Sequence, residues 1–239
     1  MILLDPEARP LVGHRGASGE YPENTLLAFD KALEQGADAL ELDVRLTTEG
    51  VPVVIHDATV DRTTDGSGDV RAHTLAELQD LDAGRGERVP TLAGVLERFP
   101  DTPFIVEVKE VAAAWPAAEV LTRYAAARRV VIGSFLHGAL RPFGRPVFHR
   151  SASRRETAMF WAGSRLGRAL AGTGFQAFAV PERHRRLTVV DRRFMAAARR
   201  RGKPVHVWTV DRPEDASRLR SLGVAGIITN YPGRMREAL

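Results

Sequence analysis

Hydrophobic and polar positions along this chain follow two patterns, in which short aliphatic runs alternate with longer amphipathic segments. The aliphatic runs predict strands at 11–16, 39–46, 51–56, 103–110, 130–135, 146–151, 175–182, 203–211 and 226–232. The amphipathic segments predict helices at 24–36, 74–81, 115–129, 153–170, 188–201 and 213–223, with a short helix at the C-terminus. Such alternation indicates parallel βαβ units.

The number of strands favours a closed barrel. Strands 39–46 and 51–56 are joined by the turn TTEG and count as one position, so that eight positions remain. Eight βα units in about 250 residues are typical of a TIM (β/α)₈ barrel. The alternative is an open doubly wound sheet, which requires a glycine-rich phosphate loop after its first strand. The stretch GHRGASGEYPEN has His and Arg where the backbone would approach phosphate, so we expect the barrel, as a single domain over residues 1–239.

Residues 57–90 interrupt the alternation. They are polar and rich in turn residues, with one short helix around TLAELQDL. A long polar segment between two units of a compact domain is often a functional loop. We therefore expect a small insertion after the second strand unit, lying on the catalytic face of the barrel.

Composition narrows the classes of function. The 239 residues include no cysteine, which excludes disulfides, thiolate metal sites and cysteine nucleophiles. The net charge is +4, but the arginine clusters contain no interleaved aromatic residues, so nucleic acid is not an expected partner. The N-terminus lacks a signal-peptide pattern, and no apolar run approaches the length of a membrane span. These features predict a cytoplasmic protein without stable membrane insertion; they indicate nothing about its oligomeric state.

Carboxylates lie on two neighbouring predicted strands. Glu41 and Asp43 are two residues apart in ALELDVRL and so share one face, and Glu107 lies in the corresponding part of PFIVEVKE. The alternate positions are apolar and are expected to face the helices: Leu42, Val44, Val106 and Val108. Three converging carboxylates repel one another unless a hard divalent cation such as Ca²⁺ or Mg²⁺ binds between them. The alternative is a buried network in which they pair with Arg15 or Lys109.

Two histidines and two cationic side chains accompany these carboxylates at the predicted strand ends. His14 and His56 suit general acid and base work, because imidazole titrates near neutral pH. Arg15 and Lys109 supply positive charge for a phosphate. A metal, two histidines and two cations together indicate phosphodiester cleavage.

Other polar residues receive weaker assignments. Ser134, Asp211 and Asn230 also lie at strand ends, and Asn24 is expected to cap the first helix. The remaining histidines are expected on the surface or are left unassigned. They are His73, His137, His149 and His184 in loops or helix starts, and His206 in the strand VHVW.

Several motifs resemble one known family. They are GHRGASGEYPENTLLAF, GADALELDVRLTTEGVPVVIHD, DRTTDGSGDV, TLAELQDLDAG, VPTLAGVLERFP, IVEVK, VIGSF and VHVWTVD with LGVAGIITNYP. Together they span nearly the whole chain and are similar to the glycerophosphodiester phosphodiesterase family. The resemblance implies a TIM barrel with a small insertion, and hydrolysis of glycerophosphodiesters such as glycerophosphocholine or glycerophosphoethanolamine to sn-glycerol 3-phosphate and an alcohol.

The resemblance also implies roles for residues. By position, the metal ligands are Glu41, Asp43 and Glu107, the acid/base pair is His14 and His56, and the substrate contacts are Arg15 and Lys109 at the phosphate and Trp208 at the glycerol. His56 is favoured as the acid. The nucleophile stays open between water and a hydroxyl of the substrate's glycerol, which would pass through a cyclic phosphate.

This chain departs from the family pattern in three places. Only RGERV separates LDAG from PTL, where family members often carry a longer aromatic stretch, so the pocket is expected to be more open. Glu49 and Asn230 each replace a common Asp at turn or supporting positions. The shortened loop and the basic surface suit an alternative, a lysophospholipase D-type enzyme acting on lysophospholipids. A non-catalytic binding protein is the third possibility. Such a protein would be expected to lack at least one of the residues assigned to catalysis or metal binding, and all of them are present: His14, His56, Glu41, Asp43 and Glu107.

Overall fold

Strands and helices alternate along the computed structural model, which describes residues 1–144, 146–167 and 174–239. The strands are β1 (Leu11–His14), β2 (Ala39–Leu46), β3 (Pro52–Val54), β4 (Phe104–Val108), β5 (Val130–Gly133), β6 (His149–Arg150), β7 (Phe178–Pro181), β8 (Arg183–His184), β9 (Leu187–Thr188), β10 (Val205–Trp208) and β11 (Gly226–Thr229). The α-helices are α1 (Leu26–Glu34), α2 (Leu75–Asp80), α3 (Leu92–Arg98), α4 (Ala114–Arg123), α5 (Arg154–Leu166), α6 (Arg192–Arg199), α7 (Pro213–Ser221) and α8 (Pro232–Ala238).

Eight of these strands form the wall of a TIM barrel, as predicted. The sheet runs in the order β6-β5-β4-β2-β1-β11-β10-β7, and all neighbours on this path are parallel. A parallel bridge between Ser151 and Ala177 joins its two ends. Hydrogen bonds from Ala152 N to Ala177 O and from Gln176 N to Arg150 O flank that bridge. The strand β3 pairs antiparallel with β2 and lies outside the ring.

The apolar alternate positions of β2 and β4 face the helices, as predicted. Leu42, Val44, Val106 and Val108 are fully buried and share a core with residues of α1, α3 and α4, including Phe29, Leu92, Val95, Ala117 and Leu121. Because successive side chains alternate across a strand, Glu41, Asp43 and Glu107 on the same strands point into the barrel.

The N-terminal end of the barrel is closed by the first residues of the chain. A 3₁₀ turn at Ile2–Leu4 places Leu3 in contact with side chains of the barrel interior, namely Val12, Ala39, Ile105, Val131, Ala177 and Ile228. The buried imidazole of His206 donates its Nε2 hydrogen to Leu3 O over 2.8 Å. Gly226 has to be glycine, because a Cβ there would lie 1.9 Å from His206 Nδ1.

Several element boundaries differ from the prediction. Helix α3 was not predicted; it has only seven residues, which is too short for a clear helical period. The strand predicted at 146–151 is reduced to two residues, because Val147 N and Phe148 N bond to Gly144 O in a turn. Strand β3 covers three of the six residues predicted. Residues 168–170 of the predicted helix at 153–170 lie outside the described residues.

The N-cap of α1 is a correction. Thr25, not Asn24, caps this helix, and its hydroxyl accepts the hydrogen of Ala28 N. Asn24 adopts a left-handed conformation with φ of 58° and is buried. Its side-chain nitrogen donates to Asp43 Oδ2 over 3.0 Å, so this residue supports the carboxylates.

None of the described helices has both the length and the apolar character needed to cross a lipid bilayer.

Candidate active site

A cavity of about 480 Å³ opens at the carboxyl ends of the barrel strands. All the sequence-predicted site residues except Asp43 line it, namely His14, Arg15, Glu41, His56, Glu107, Lys109 and Trp208. Asp43 is buried directly behind these residues. The structure therefore brings the predicted residues together, at the end of the barrel where TIM-barrel enzymes carry their chemistry.

The three carboxylates converge because of the register of their strands. Asp43 and Glu107 are partners in the parallel pair β2–β4, and Glu41 is two residues before Asp43 on the same face. One oxygen from each of Glu41, Asp43 and Glu107 lies within 4.8 Å of the others. This spacing allows a single cation to contact all three.

Arg15 and Lys109 form ion pairs with this cluster. The buried network that the sequence offered as an alternative to a metal site is therefore present as well. Arg15 Nε lies 3.0 Å from Asp43 Oδ2. Lys109 Nζ lies 3.3 Å from Asp43 Oδ1 and 3.0 Å from Glu107 Oε1. Burial acts to raise the pKa of Asp43, but Lys109 and Arg15 outweigh it and lower this pKa. Asp43 is therefore held as a carboxylate.

The charge of the cluster is nevertheless incompletely balanced, since three carboxylates face two cations. Burial, with smaller contributions from Asp43 and Glu107, raises the pKa of Glu41 well above its usual range. Asp43 Oδ1 is buried and accepts no hydrogen bond of good geometry from the described residues, although Lys109 Nζ lies 3.3 Å from it. A buried carboxylate oxygen that accepts no hydrogen bond and an excess of negative charge both fit a divalent cation. The all-oxygen donor set fits Ca²⁺ or Mg²⁺ better than zinc.

His14 is held in one tautomer by Asn230. Asn230 Nδ2 donates to Asp211 Oδ2 over 2.7 Å, which turns its amide oxygen toward His14 Nδ1, also at 2.7 Å. Because that oxygen can only accept, Nδ1 carries the proton. Burial and the neighbouring Arg15 lower the pKa of His14. The ring is therefore neutral near pH 7, and its unprotonated Nε2 lies 3.9 Å from Glu41 Oε2.

His56 is oriented by the next residue. Its Nδ1 lies 2.6 Å from Asp57 Oδ1, and since a carboxylate can only accept, Nδ1 carries a proton here too. Arg62 donates to Asp57 Oδ2 over 2.6 Å and is the main reason why the pKa of Asp57 lies far below its usual range. The second nitrogen, Nε2, is left for the cavity that this ring lines.

Glu23 joins the two halves of the site. It accepts two hydrogen bonds from Arg62, of 2.7 and 2.8 Å, and one of 3.0 Å from Arg15. Arg62 belongs to the segment 57–90, whereas Glu23 precedes α1. A continuous chain of hydrogen-bonded polar groups thus runs from His56 through Asp57, Arg62 and Glu23 to Arg15.

The turn after β1 depends on a glycine. Gly16 has φ of 83°, and a Cβ there would lie 2.5 Å from the backbone of Ala28 in α1. Helix α1 can therefore pack closely on this turn. In this turn, the backbone N–H of Arg15 donates a hydrogen bond of 3.1 Å to Glu41 Oε2.

Residues 14–234 match the sequence profile of the Glycerophosphoryl diester phosphodiesterase family. The chain belongs to this family. The glycerophosphodiester phosphodiesterase of Caldanaerobacter subterraneus subsp. tengcongensis is 37% identical over 239 residues, covering 93% of this chain and 94% of the relative. A glycerophosphodiester phosphodiesterase of Bacillus subtilis is 32% identical over 261 residues, with coverage of 96% and 86%. As a member of the family, the chain is a phosphoric diester hydrolase.

Solved structures agree with this membership. The glycerophosphodiester phosphodiesterase of Agrobacterium tumefaciens superposes with a TM-score of 0.78 at 28% identity, covering 96% of this chain and 98% of its own. An Oleispira antarctica phosphodiesterase, solved in complex with the product sn-glycerol-3-phosphate, has a TM-score of 0.80 at 26% identity and covers 96% of both chains. This phosphodiesterase family member therefore has the same barrel fold as these two structures.

Several residues of this phosphodiesterase site had no role that the sequence predicted. Phe135, half exposed, stacks edge to face on Trp208 with ring centroids 5.8 Å apart. His184, expected merely at the surface, lines the cavity. Asp57 was visible in the sequence as part of the HD pair. The hydrogen bonds from Arg62 to Glu23 join residues 39 positions apart, so no local sequence pattern predicts them.

Proposed function

We propose that this protein is a metal-dependent hydrolase of glycerophosphodiesters, releasing sn-glycerol 3-phosphate and an alcohol. The observation that carries the proposal is the convergence of two carboxylates, two histidines and two cationic side chains on one cavity at the barrel mouth, with the third carboxylate, Asp43, buried behind them. Family membership supports the substrate class. The product named in the Oleispira antarctica structure supports the reaction.

Glu41, Asp43 and Glu107 would hold the divalent cation, Ca²⁺ or Mg²⁺. When bound, such an ion supplies positive charge that stabilises the extra negative charge on the phosphoryl oxygens. Arg15 and Lys109 add fixed charge beside it. Their own counter-ions hold both in place, so little reorganisation is needed when phosphate enters.

His14 is the proposed base and His56 the proposed acid. The neutral His14 presents an unprotonated Nε2, which takes the proton of the attacking hydroxyl, either of water or of the substrate's glycerol. As the new P–O bond forms, the ester P–O bond breaks, and His56 gives the Nε2 proton of its imidazolium to the leaving alkoxide. If the glycerol hydroxyl attacks, water then opens the cyclic phosphate, with the two histidines exchanging roles.

Trp208 and Phe135 are the proposed wall of the glycerol site. Their edge-to-face contact holds both rings against the cavity, and Lys109 Nζ lies 5.7 Å from the centre of the Phe135 ring. The segment 57–90 is proposed to support catalysis from outside the cavity, by supplying Arg62 to orient the Asp57–His56 pair.

Two substrates that differ in their leaving group distinguish the roles of His14 and His56. We expect His14→Ala to lose about 10²–10⁴-fold in kcat on both glycerophosphocholine and the 4-nitrophenyl ester of glycerol 3-phosphate, because both need the base. His56→Ala should lose as much on glycerophosphocholine but far less on the 4-nitrophenyl ester, whose weakly basic leaving group needs no protonation. Steady-state kinetics with Mg²⁺ or Ca²⁺ present measure the kcat of both variants on the two substrates.

His73→Ala, which changes a partly buried histidine that does not line the cavity, is the control and should behave as wild type on both substrates. Equal losses in His56→Ala on the two esters would contradict the assignment of the acid. Wild-type protein that releases no sn-glycerol 3-phosphate from either ester, with metal present, would contradict the function.

A further inference from the structure

The charges of the chain are distributed unevenly along the sequence. Residues 154–203 contain 13 of the 34 Arg and Lys residues but only three of the 30 Asp and Glu residues. The formal net charge of this segment is therefore +10, while the remaining residues together carry −6, which gives the +4 of the whole chain. A separation of charge this large indicates binding to an anionic partner, because the fold itself does not require it.

Helix α6 presents this charge on one side. Its apolar residues are buried in the core that it shares with α5, where the ring centroids of Phe160 and Phe194 lie 5.2 Å apart. Its exposed side, continued by the two residues after the helix, consists of one alanine and five arginines: Arg192, Arg193, Ala196, Arg199, Arg200 and Arg201. Exposed helix faces are commonly stabilised by opposite charges three or four residues apart, but the sequence of this helix contains no acidic residue. Its exposed side is therefore a patch of positive charge alone.

The N-terminus of α5 and the β8–β9 hairpin extend the positive charge from α6 to the barrel mouth. Their exposed arginines are Arg154, Arg155, Arg183, Arg185 and Arg186. Two hydrogen bonds hold the hairpin against α5, one of 3.1 Å from the Arg154 guanidinium to His184 Nε2 and one of 2.9 Å from the Trp161 indole to Thr188 O. The ten exposed arginines of α5, the hairpin, α6 and the two residues after α6 are here called the basic face.

The acidic residues of the same segment do not neutralise the basic face. Glu156, Asp191 and Glu182 each pair with an arginine outside this face, namely Arg150, Arg165 and Arg218. Within the described part of the chain, no carboxylate oxygen lies within 4.0 Å of a guanidinium nitrogen of the basic face. Its positive charges therefore face solvent without a counter-ion from the protein.

Apolar side chains among these arginines favour a lipid bilayer as the partner. Met159 is 40% exposed, Leu166 66% and Leu187 54%. Exposed aliphatic side chains beside several arginines are typical of surfaces that adsorb to anionic lipid head groups. A surface for single-stranded nucleic acid usually offers aromatic rings for the bases, but none of the described exposed residues between 154 and 203 is aromatic.

We propose that the basic face adsorbs this protein to membranes that contain anionic phospholipids, as a reversible contact in which no segment crosses the bilayer. Each arginine close to an anionic bilayer raises the partition coefficient about fivefold, and the effect fades beyond a Debye length of about 10 Å. The contact uses neither the proposed metal ligands nor the two histidines. It is therefore independent of the proposed function.

Sedimentation with vesicles tests the proposal. Vesicles of phosphatidylcholine and phosphatidylglycerol in equal amounts are compared with vesicles of phosphatidylcholine alone, with Mg²⁺ present, at about 0.1 M and about 0.5 M salt. The partition coefficient should be at least about 100-fold higher on the anionic vesicles at the lower salt concentration, and most of this difference should be lost at the higher one. Equal binding to the two kinds of vesicle, or no binding to either, would overturn the proposal.

Two variants with the same change in net charge locate the contact. The α6 variant combines R192Q, R193Q, R199Q and R200Q. The control variant combines R71Q, R85Q, R88Q and R98Q, which change exposed arginines of the segment 57–90 and α3. These lie beside β2 and β3, and β2 is four strands from β7 in either direction around the closed sheet. The α6 variant should bind anionic vesicles at least about 100-fold more weakly than the control variant. Equal binding of the two variants would contradict the proposal.

A fluorescent label reads the orientation of the bound protein without any change to the arginines. The chain has no cysteine, so one introduced thiol is labelled uniquely. Acrylodan on M159C, at the basic face, should shift its emission to shorter wavelength when anionic vesicles are added, whereas acrylodan on E97C, exposed on α3, should not. Equal shifts at the two positions would contradict the proposal. Duplex DNA that binds the wild type as tightly as anionic vesicles do, and is lost in the α6 variant, would identify a nucleic acid as the partner and overturn it.

Discussion

Behind His14, two residues fix the ring through hydrogen bonds without lining the cavity. Asp211 accepts from the backbone and the side chain of Asn230, at 2.8 and 2.7 Å, and Asn230 in turn accepts from His14 Nδ1. Partners of this kind hold a histidine in the tautomer and orientation that its role needs. The lone pair that acts as the proposed base is therefore set by residues about 200 positions away in the chain.

We expect Asn230→Ala to lower kcat about 10–100-fold with little change in KM, because the ring of His14 loses its tautomer and its orientation while the phosphate contacts stay. Steady-state kinetics on glycerophosphocholine measure both constants. Ser18→Ala is the matched control, since its hydroxyl approaches the same Asn230 oxygen at 2.8 Å but also has His14 O as an acceptor. A kcat for Asn230→Ala equal to that of the control would contradict the positioning role.

At the scale of single residues, most of what could be predicted came from the alternation of side chains between the two faces of a strand. The two-residue spacing of Glu41 and Asp43 determines the face they share, whatever the rest of the fold. The capping role expected of Asn24 was wrong, because Thr25 also fits an N-cap and Asp43 provides Asn24 with a buried partner. The contact of Arg62 with Glu23 depends on the path of an irregular segment, which no local pattern encodes.

Among the elements, strand β2 was predicted to the residue, at 39–46. Eight consecutive residues that alternate between the barrel interior and the helices leave a long and clear signal. The strands β3 and β6 were predicted too long, since apolar residues continue beyond the point where the ladder ends. Helix α3 was missed because its seven residues give too short a period, although Leu92, Val95 and Leu96 are buried in the core that it shares with α1 and α4.

The segment 57–90 contacts the site through Asp57, which pairs with His56, and through Arg62, which pairs with Asp57 and Glu23. We expect Arg62→Ala to reduce kcat/KM on glycerophosphocholine about tenfold, because Asp57 and Glu23 lose a shared partner and His56 loses its orientation. The free energy of unfolding should change by no more than about 1 kcal/mol, since Arg62 is about half exposed and solvent screens its ion pairs. Kinetics and urea denaturation measure the two effects.

Arg71→Ala is the matched control for Arg62, because it removes an exposed arginine of the same segment whose ion-pair partner is Glu110. It should leave kcat/KM unchanged. Equal activities in the two variants would show that Arg62 does not support the acid.

At the scale of the whole molecule, the barrel is closed at one end by the N-terminal turn and open at the other to the site. The closed end depends on His206, whose burial lowers its pKa to about 4. In the unfolded chain its pKa lies near 6.5. The folded state thus binds fewer protons between these values, and stability that is present above pH 6.5 is lost as the pH falls toward 4.

We expect wild-type protein to lose about 2 kcal/mol of unfolding free energy through His206 between pH 7 and pH 5. His206→Gln keeps an amide donor for Leu3 O but does not titrate, so its loss over the same interval should be smaller by that amount. Urea denaturation at the two pH values measures the difference. His73→Gln, at a partly buried position, should lose as much as the wild type. An equal loss in His206→Gln would contradict the claim that His206 is buried as the neutral imidazole.

The most direct test of the account is the release of sn-glycerol 3-phosphate from glycerophosphocholine by metal-stripped protein, as Mg²⁺ or Ca²⁺ is added back. We predict that the rate falls at least about 100-fold in EDTA and returns saturably with metal. We also predict that Glu107→Gln requires at least about tenfold more metal, while Glu119→Gln, an exposed control on α4, does not. Full activity in EDTA, or identical metal titrations for the two variants, would contradict the central claim that Glu41, Asp43 and Glu107 hold the metal of a phosphodiesterase.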